Sequence, residues 1–333
     1  MNTSNANAYG RAFEYSMAKV LHEKLQPSTL VDSSALERAK YHYDTLDENT
    51  KNSFDKAALE AVDPLLTYEK KLQNLNLASP LYISMQADRR GMVGDCRDIL
   101  LEMPDQHWTI GVSCKHNHYA VKHSRLSPTI NFGEKWVGIP CSQEYLDKIK
   151  SILESDTLKE MRKAKKDWSD IENKEEMVYK PVVDAFIDEL TRIVEGNPDA
   201  NVPAKLIKYL VGEYDFYKVF AEDKNLSTEV RAFNLAGTLG LEDKPVKKTA
   251  KKTSSKKPAK KAAQKTRVPK IKLPTKVLDI ERKNDSTFYV YFDKGWQLKF
   301  RIHSASSRIQ KSLKFDIQLV GVPANILSLT QKW

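Results

Sequence analysis

The chain has 333 residues, with 54 Lys and Arg against 44 Asp and Glu and a formal net charge of +10. That length suits one large domain or two ordinary ones. No apolar run approaches the roughly 18 residues that a membrane span needs, and the opening MNTSNANAYG lacks the basic-then-apolar layout of a secretory signal. Three scattered cysteines, Cys96, Cys114 and Cys141, exclude a disulfide scaffold and point to a reducing cytoplasm.

Phe13, Met17, Val20, Leu21 and Leu25 recur at helical spacing and predict an amphipathic helix over 9–25. Residues 33–62 also read as helical, with Asp63-Pro64 as the stop. The run DILLEM at 98–103, the turn signal Pro104-Asp105 and WTIGVSCK at 108–115 predict a β-hairpin. Helical patterns fill 143–196 and 203–221, punctuated by Gly196-Asn197-Pro198.

Between Lys244 and Lys276 stand 13 Lys and one Arg with no acidic residue. Without them the chain keeps 40 basic and 44 acidic residues, so its basicity is local. Poor in large apolar residues and broken by Pro245, Pro258, Pro269 and Pro274, the segment 244–276 reads as a disordered Lys/Ala/Pro-rich linker. A mobile polycation attracts polyanions with salt-dependent affinity. One hypothesis is therefore a non-catalytic, architectural DNA-binding protein with a basic tail. After the linker, TFYVYF at 287–292, the turn Asp293-Lys294-Gly295, WQLKFRIH at 296–303 and LKFDIQLV at 313–320 predict a small antiparallel sheet with one buried face. Its polar face carries Lys299, Arg301 and His303, side-chain types that reach phosphates and guanine edges. Arg301 and His303 are the candidate DNA contacts.

The chemistry concentrates in residues 94–127. An aspartate opens one strand of the hairpin and Lys115 ends the other, 17 residues after Asp98 and 20 after Asp95. Ser113 and Lys115 share a strand face by period-two alternation. A carboxylate beside an ammonium on paired strands suits metal-dependent phosphodiester cleavage: the acid holds Mg²⁺, and the ammonium orients water or offsets phosphorane charge. A second carboxylate is needed. Where an acid usually precedes the lysine by two positions there is Ser113, so Glu14, on the polar flank of the first helix, is the candidate. Glu102 and Asp105 are weaker ones.

These residues resemble the PD-(D/E)xK nuclease motif in a D…SxK form. More narrowly, GRAFEY at 10–15, GDCRDILL at 94–101, IGVSCKHNHYAVKHSRLS at 110–127, FGEKW at 132–136, GWQLKFRIHSAS at 295–306 and SLKFDIQLVGVP at 312–323 resemble the HaeIII-type family of type II restriction endonucleases. The resemblance implies Mg²⁺-dependent cleavage of double-stranded DNA at the palindrome GGCC. It also implies a two-fold homodimer on that palindrome and functional pairing with a protecting DNA methyltransferase. By position, Lys115 is the motif lysine, Asp98 the metal-binding aspartate with Asp95 as its alternative, and Glu14 completes the metal site. Ser113 departs from the superfamily pattern.

His116-Asn117-His118 spells HNH, but the HNH nuclease motif spreads over tens of residues; His116 and His118 read as phosphate contacts. Lys122, His123, Ser124 and Arg125 follow as a DNA-contacting loop, with Arg125 able to grip guanine O6 and N7. Pro140-Cys141 resembles a cytosine-methyltransferase nucleophile, but no Gly-rich cofactor loop accompanies it. The expected organisation is an α/β, restriction-endonuclease-like mixed-sheet core flanked by helices over 1–243, the disordered linker 244–276, and an antiparallel β module over 277–333.

Overall fold

The structure, a computed structural model, describes residues 3–87, 95–117, 120–241, 268–304 and 306–333. The chain opens with α1 (Thr3–Lys24), β1 (Ser28–Leu30), α2 (Ser34–Asp44), α3 (Glu48–Leu59) and α4 (Val62–Tyr68), then β2 (Leu81–Met85), β3 (Ile99–Met103) and β4 (Trp108–His116). It continues through β5 (Ala120–Leu126), α5 (Phe132–Val137), α6 (Gln143–Leu153), α7 (Asp156–Lys163), α8 (Lys180–Gly196) and α9 (Val202–Val211). β6 (Phe216–Glu222) and β7 (Ser227–Phe233) follow. Last come β8 (Val277–Asn284), β9 (Thr287–Phe292), β10 (Gln297–Ser304), β11 (Leu313–Gly321) and β12 (Ser328–Lys332). Two compact units result. One takes the described residues of 1–118, 214–271 and 325–333, the other those of 119–213 and 272–324.

The first unit is built on a seven-stranded mixed sheet in the order β1-β2-β3-β4-β6-β7-β12. β1 runs parallel to β2 and β4 parallel to β6, while the other neighbours are antiparallel. Phe13, Met17 and Leu21 of α1 bury with Ile83, Leu101, Ile110, Val112, Cys114, Tyr217 and Val219 in one hydrophobic core. These strand residues sit at alternate positions, so one sheet face meets α1 and leaves Ser113, Lys115 and Lys218 on the other. The segment 33–62 is helical as expected and forms two helices, with Asp47 capping α3 by accepting from Thr50 N at 3.0 Å. Asp63-Pro64 does not stop the helical stretch. It sits in the first turn of α4, where proline's missing N–H is harmless.

The second unit is a five-stranded antiparallel sheet, β5-β11-β10-β9-β8, with α5–α9. Its core is aromatic. Phe186 of α8 lies 4.3 Å from Phe132, 5.6 Å from Trp136, 4.9 Å from Phe315 and 5.9 Å from Phe300, ring centre to ring centre. Such offset and edge-on pairs add stabilisation beyond area burial.

Several expectations need correction. The C-terminal module is not a separate 277–333 unit: β5 pairs with β11, and β12 leaves to pair with β7 in the other sheet. Correspondingly, the core does not run unbroken over 1–243, since 119–213 belongs with the second sheet. Residues 122–125 are strand, not loop. The expected helix over 203–221 ends at Val211, because Gly212 adopts φ +88, and 216–222 is strand β6. Most of the basic linker lies outside the described residues. Its end is ordered: Val268 and Ile271 are buried, Asn234 Nδ2 donates to Val268 O at 2.7 Å, and Ile271 N donates to Asn234 O at 2.8 Å.

Candidate active site

Asp98 sits just before β3, pinned by its backbone between two strands: its N–H donates to Val112 O at 2.8 Å and its carbonyl accepts from Gln86 N at 2.9 Å. One carboxylate oxygen, Oδ2, accepts from Cys114 N at 2.7 Å and Ser113 Oγ at 3.1 Å, and lies 3.5 Å from Lys115 Nζ. Oδ1 makes no hydrogen bond among the described residues. Lys115 Nζ also donates to the Cys114 carbonyl at 2.9 Å. From α1 comes Glu14, buried and bonded by Arg11 Nη1 at 2.5 Å.

These groups act on one another electrostatically. Burial, then the negative charge of Asp98, push Glu14 up to about 7, against the pull of Arg11 and Lys115. Burial disfavours the Lys115 ammonium, but the carboxylates of Asp98 and Glu14 outweigh it and raise its pKa above the ordinary lysine value. The hairpin and the opening helix therefore bring Glu14, Asp98, Ser113 and Lys115 together.

Among the described residues, no three His, Cys, Asp or Glu side chains gather as a metal-binding group. What the site offers is two carboxylates that repel each other, one with a free oxygen. That donor set suits a hard divalent cation, which would relieve the repulsion and take its remaining ligands from water and substrate.

Asp95 stands apart from this cluster. Both its oxygens accept from Arg97, Nε and Nη2 each at 2.8 Å, and Oδ2 accepts from Gln86 Nε2 at 3.1 Å. Burial alone would raise its pKa, but the Arg97 guanidinium holds the carboxyl below the usual range. Arg97 in turn stacks 4.0 Å over the Tyr214 ring. Asp95 is a turn anchor, which corrects its place as an alternative metal ligand. Glu102 points instead toward Ser84 Oγ at 3.4 Å, and Asp105 lies exposed in the turn.

The proposed DNA contacts fall out differently. His116 is turned inward: Nε2 lies 2.9 Å from Asp223 Oδ1, and its ring packs on Phe54 at 4.6 Å. His118 lies outside the described residues. In the second unit Lys122 Nζ donates to Tyr209 O at 2.8 Å and covers that ring, and Ser124 is buried. These two correct the picture of an exposed contact loop, because period-two alternation turns both toward the packed face of β5. His123 and Arg125 take the outer face. There His123 bonds Asp316, and Arg125 Nη1 donates to Ser312 Oγ at 3.2 Å. His303 Nε2 stands 3.1 Å from the other oxygen of Asp316. Burial raises the Asp316 pKa, but the two imidazoles overcome it and hold the carboxyl far below the usual range. Arg301, across from Asp316 in register, is exposed.

The HaeIII restriction endonuclease family model matches residues 10–323. The chain belongs to the HaeIII restriction endonuclease family. It is 38% identical to the type II restriction enzyme HaeIII of Haemophilus aegyptius over 337 residues, covering 100% of this chain and 99% of that one. No solved structure matches it. Members of this family are site-specific deoxyribonucleases, so the chain is an enzyme acting on double-stranded DNA, and the non-catalytic architectural reading is set aside. Among the described residues no helix is long and apolar enough to cross a membrane.

Sequence reasoning missed Arg97, Asp223 and Asp316, the partners that fix Asp95, His116 and the outer histidines. The Arg97 side chain packs over Gly111, where a Cβ would meet Arg97 Cδ at 2.0 Å.

Proposed function

We propose that the chain cleaves double-stranded DNA at GGCC with Mg²⁺, using Asp98, Glu14 and the Cys114 carbonyl to hold the ion and Lys115 to orient the attacking water. The observation that carries this is the hydrogen-bonded group of Asp98, Ser113 and Lys115, to which the buried Glu14 is electrostatically coupled. When bound there, a divalent ion supplies Lewis acidity to the scissile phosphate. The residues do the rest. Cys114 N and the Ser113 hydroxyl fix the Asp98 carboxylate, so Ser113 positions an acid instead of replacing one. The Lys115 ammonium aims water at phosphorus and offsets charge on the phosphorane oxygens. The water oxygen bonds to phosphorus as the bond to the 3′ oxygen breaks, leaving a 5′-phosphate and a 3′-hydroxyl.

A palindrome is read most simply by two copies related by a two-fold axis. We assign the DNA contacts to the outer face of the second sheet, with Arg125, Arg301, His123 and His303. A methyltransferase modifying the same sequence would protect the host's own DNA in the cytoplasm.

The test is plasmid digestion with Mg²⁺ or with EDTA, followed by sequencing of the fragment ends. Ends within GGCC that form only with Mg²⁺ support the proposal, and ends at another sequence refute the specificity. Lys115→Ala is expected to bind the site and leave it uncut. A Lys115→Ala protein that cuts normally would sink the assignment.

A further inference from the structure

One buried charge near this site has no role in the mechanism above. Lys218, on β6, is 4% exposed. It lies directly across from Ser113 in the parallel pairing of β4 and β6, and so on the same sheet face as Ser113 and Lys115. Among the described residues it makes no hydrogen bond and no ion pair. Its amine lies 4.7 Å from the centre of the Phe220 ring, whose residue is the register partner of Lys115. On its other side it pairs with Arg231, whose guanidinium is held by Glu229 at 2.6 and 2.9 Å. The carboxylate on this part of the face is thus spent on Arg231, and Lys218 is left without an anion.

A buried amine without a counter-charge is costly unless something else supplies one. Burial first, and then the positive charges of Lys115 and Arg231, push Lys218 down to about 7, against the opposing pull of Cys96 and Asp98. The register therefore sets Lys218 beside the strand that carries Ser113 and Lys115, next to cations and without a carboxylate of its own. Cleavage at the proposed site would bring a phosphate, an anion, to this face of the sheet. Apolar residues would fill the position at lower cost to folding, so an amine there is explained by a ligand and not by packing.

We infer that Lys218 is a second phosphate-binding cation of the active site, contacting a non-bridging oxygen of the scissile phosphate from the strand beside Lys115. This rests on the proposed site of Glu14, Asp98 and Lys115. In that role Lys218 strengthens its hold as negative charge builds on the phosphorane oxygens, while Lys115 is left to serve the water.

The experiment compares the full-length chain with Lys218→Met, Lys218→Arg and Lys115→Ala on one cognate duplex. Folding is followed by thermal melting, and site binding is measured in EDTA. Lys218→Met should melt no lower than the wild type, since it removes a buried unpaired charge. It should bind the site within a few-fold and slow single-turnover cleavage by about a hundredfold. Lys218→Arg, which keeps the charge, should recover part of that loss. A purely structural residue would shift melting and binding together with the rate. Wild-type cleavage by Lys218→Met, with Lys115→Ala inactive, overturns this inference alone. Wild-type cleavage by Lys115→Ala overturns the underlying site instead. Should neither Lys218 variant fold, the Nζ resonance of Lys218 in the wild-type chain decides: a cognate duplex in EDTA should shift it more than a scrambled duplex does, and equal shifts overturn the proposal.

Discussion

Glu69 gives the sharpest test of the electrostatics of this fold. It follows α4 and is 1% exposed, its Oε1 accepting from Tyr217 Oη at 2.5 Å and Gly240 N at 2.7 Å. Burial outweighs those bonds and the charge of Lys71, and pushes the carboxyl from 4.5 to about 7. A pKa higher in the folded state means that the folded chain holds the proton more tightly than the unfolded chain. The stability linked to Glu69 is therefore complete below about pH 4.5 and is lost as pH rises toward 7. A shift of that size corresponds to about 3 kcal/mol. Glu69→Gln keeps an acceptor for Tyr217 and Gly240 without a charge to desolvate. The difference in unfolding free energy between variant and wild type cancels every other titrating group. It should lie near zero at pH 4 and grow to about 3 kcal/mol in favour of the variant by pH 8. Urea denaturation at each pH measures it. A difference that stays flat across that range, or a variant weaker at pH 8, would refute the reasoning.

Gly111→Ala should destabilise the first unit by about 3 kcal/mol, read by denaturation, because the new Cβ would stand 2.0 Å from Arg97 Cδ and displacing Arg97 strands the buried Asp95 carboxylate. Arg301→Ala should weaken duplex binding and lower the slope of log affinity against log salt by about one, if it holds a phosphate; an unchanged slope counts against the second sheet as a DNA surface. Replacing the nine lysines between 247 and 265 with serine should flatten that slope further while leaving the cut sequence unchanged. Altered fragment ends would show that the basic segment takes part in site selection.

Most elements legible in the sequence had one wet face; β3 and β4, largely buried on both faces, were marked instead by the Pro104-Asp105 turn between them. Strand β10 alternates Leu298, Phe300 and Ile302 against Lys299, Arg301 and His303, and the structure buries the first set. In α1 the same holds at helical spacing, with Phe13, Met17 and Leu21 buried. Strand β6 defeats this logic because Phe216 through Ala221 are all buried, so no alternation survives and FYKVFA merges with the helix before it. Gly212 was the one local sign of the break. In β5 the inward positions are polar, Lys122 and Ser124, and their partner Tyr209 lies 85 or more residues away. No nearby residue announces that these side chains will be satisfied inside. The unit boundaries were hidden for a related reason: strand exchange between sheets is set by pairings such as β7 with β12, which join residues about a hundred apart.

The candidate site divides along the same line. Asp98 and Lys115 belong to one hairpin, so register brings them together over a short stretch of chain, and Ile99 opposite Val112 fixes that register. Glu14 was reachable because the helix places it one residue from Phe13, which anchors α1 in the core. Lys218 was out of reach, since it depends on a strand that carries no alternation and a parallel pairing across a hundred residues. Its position bears on why Ser113 is tolerated where an acid is usual. Across the strands Ser113 faces Lys218, and along its own strand it hands its hydroxyl to Asp98. An acid at 113 would neutralise Lys218 and add a third carboxylate beside Asp98 and Glu14. A serine leaves two carboxylates for a divalent ion and a second amine free for phosphate. On the proposed mechanism, two negative and two positive charges meet the substrate, with the second acid supplied by a helix instead of the strand.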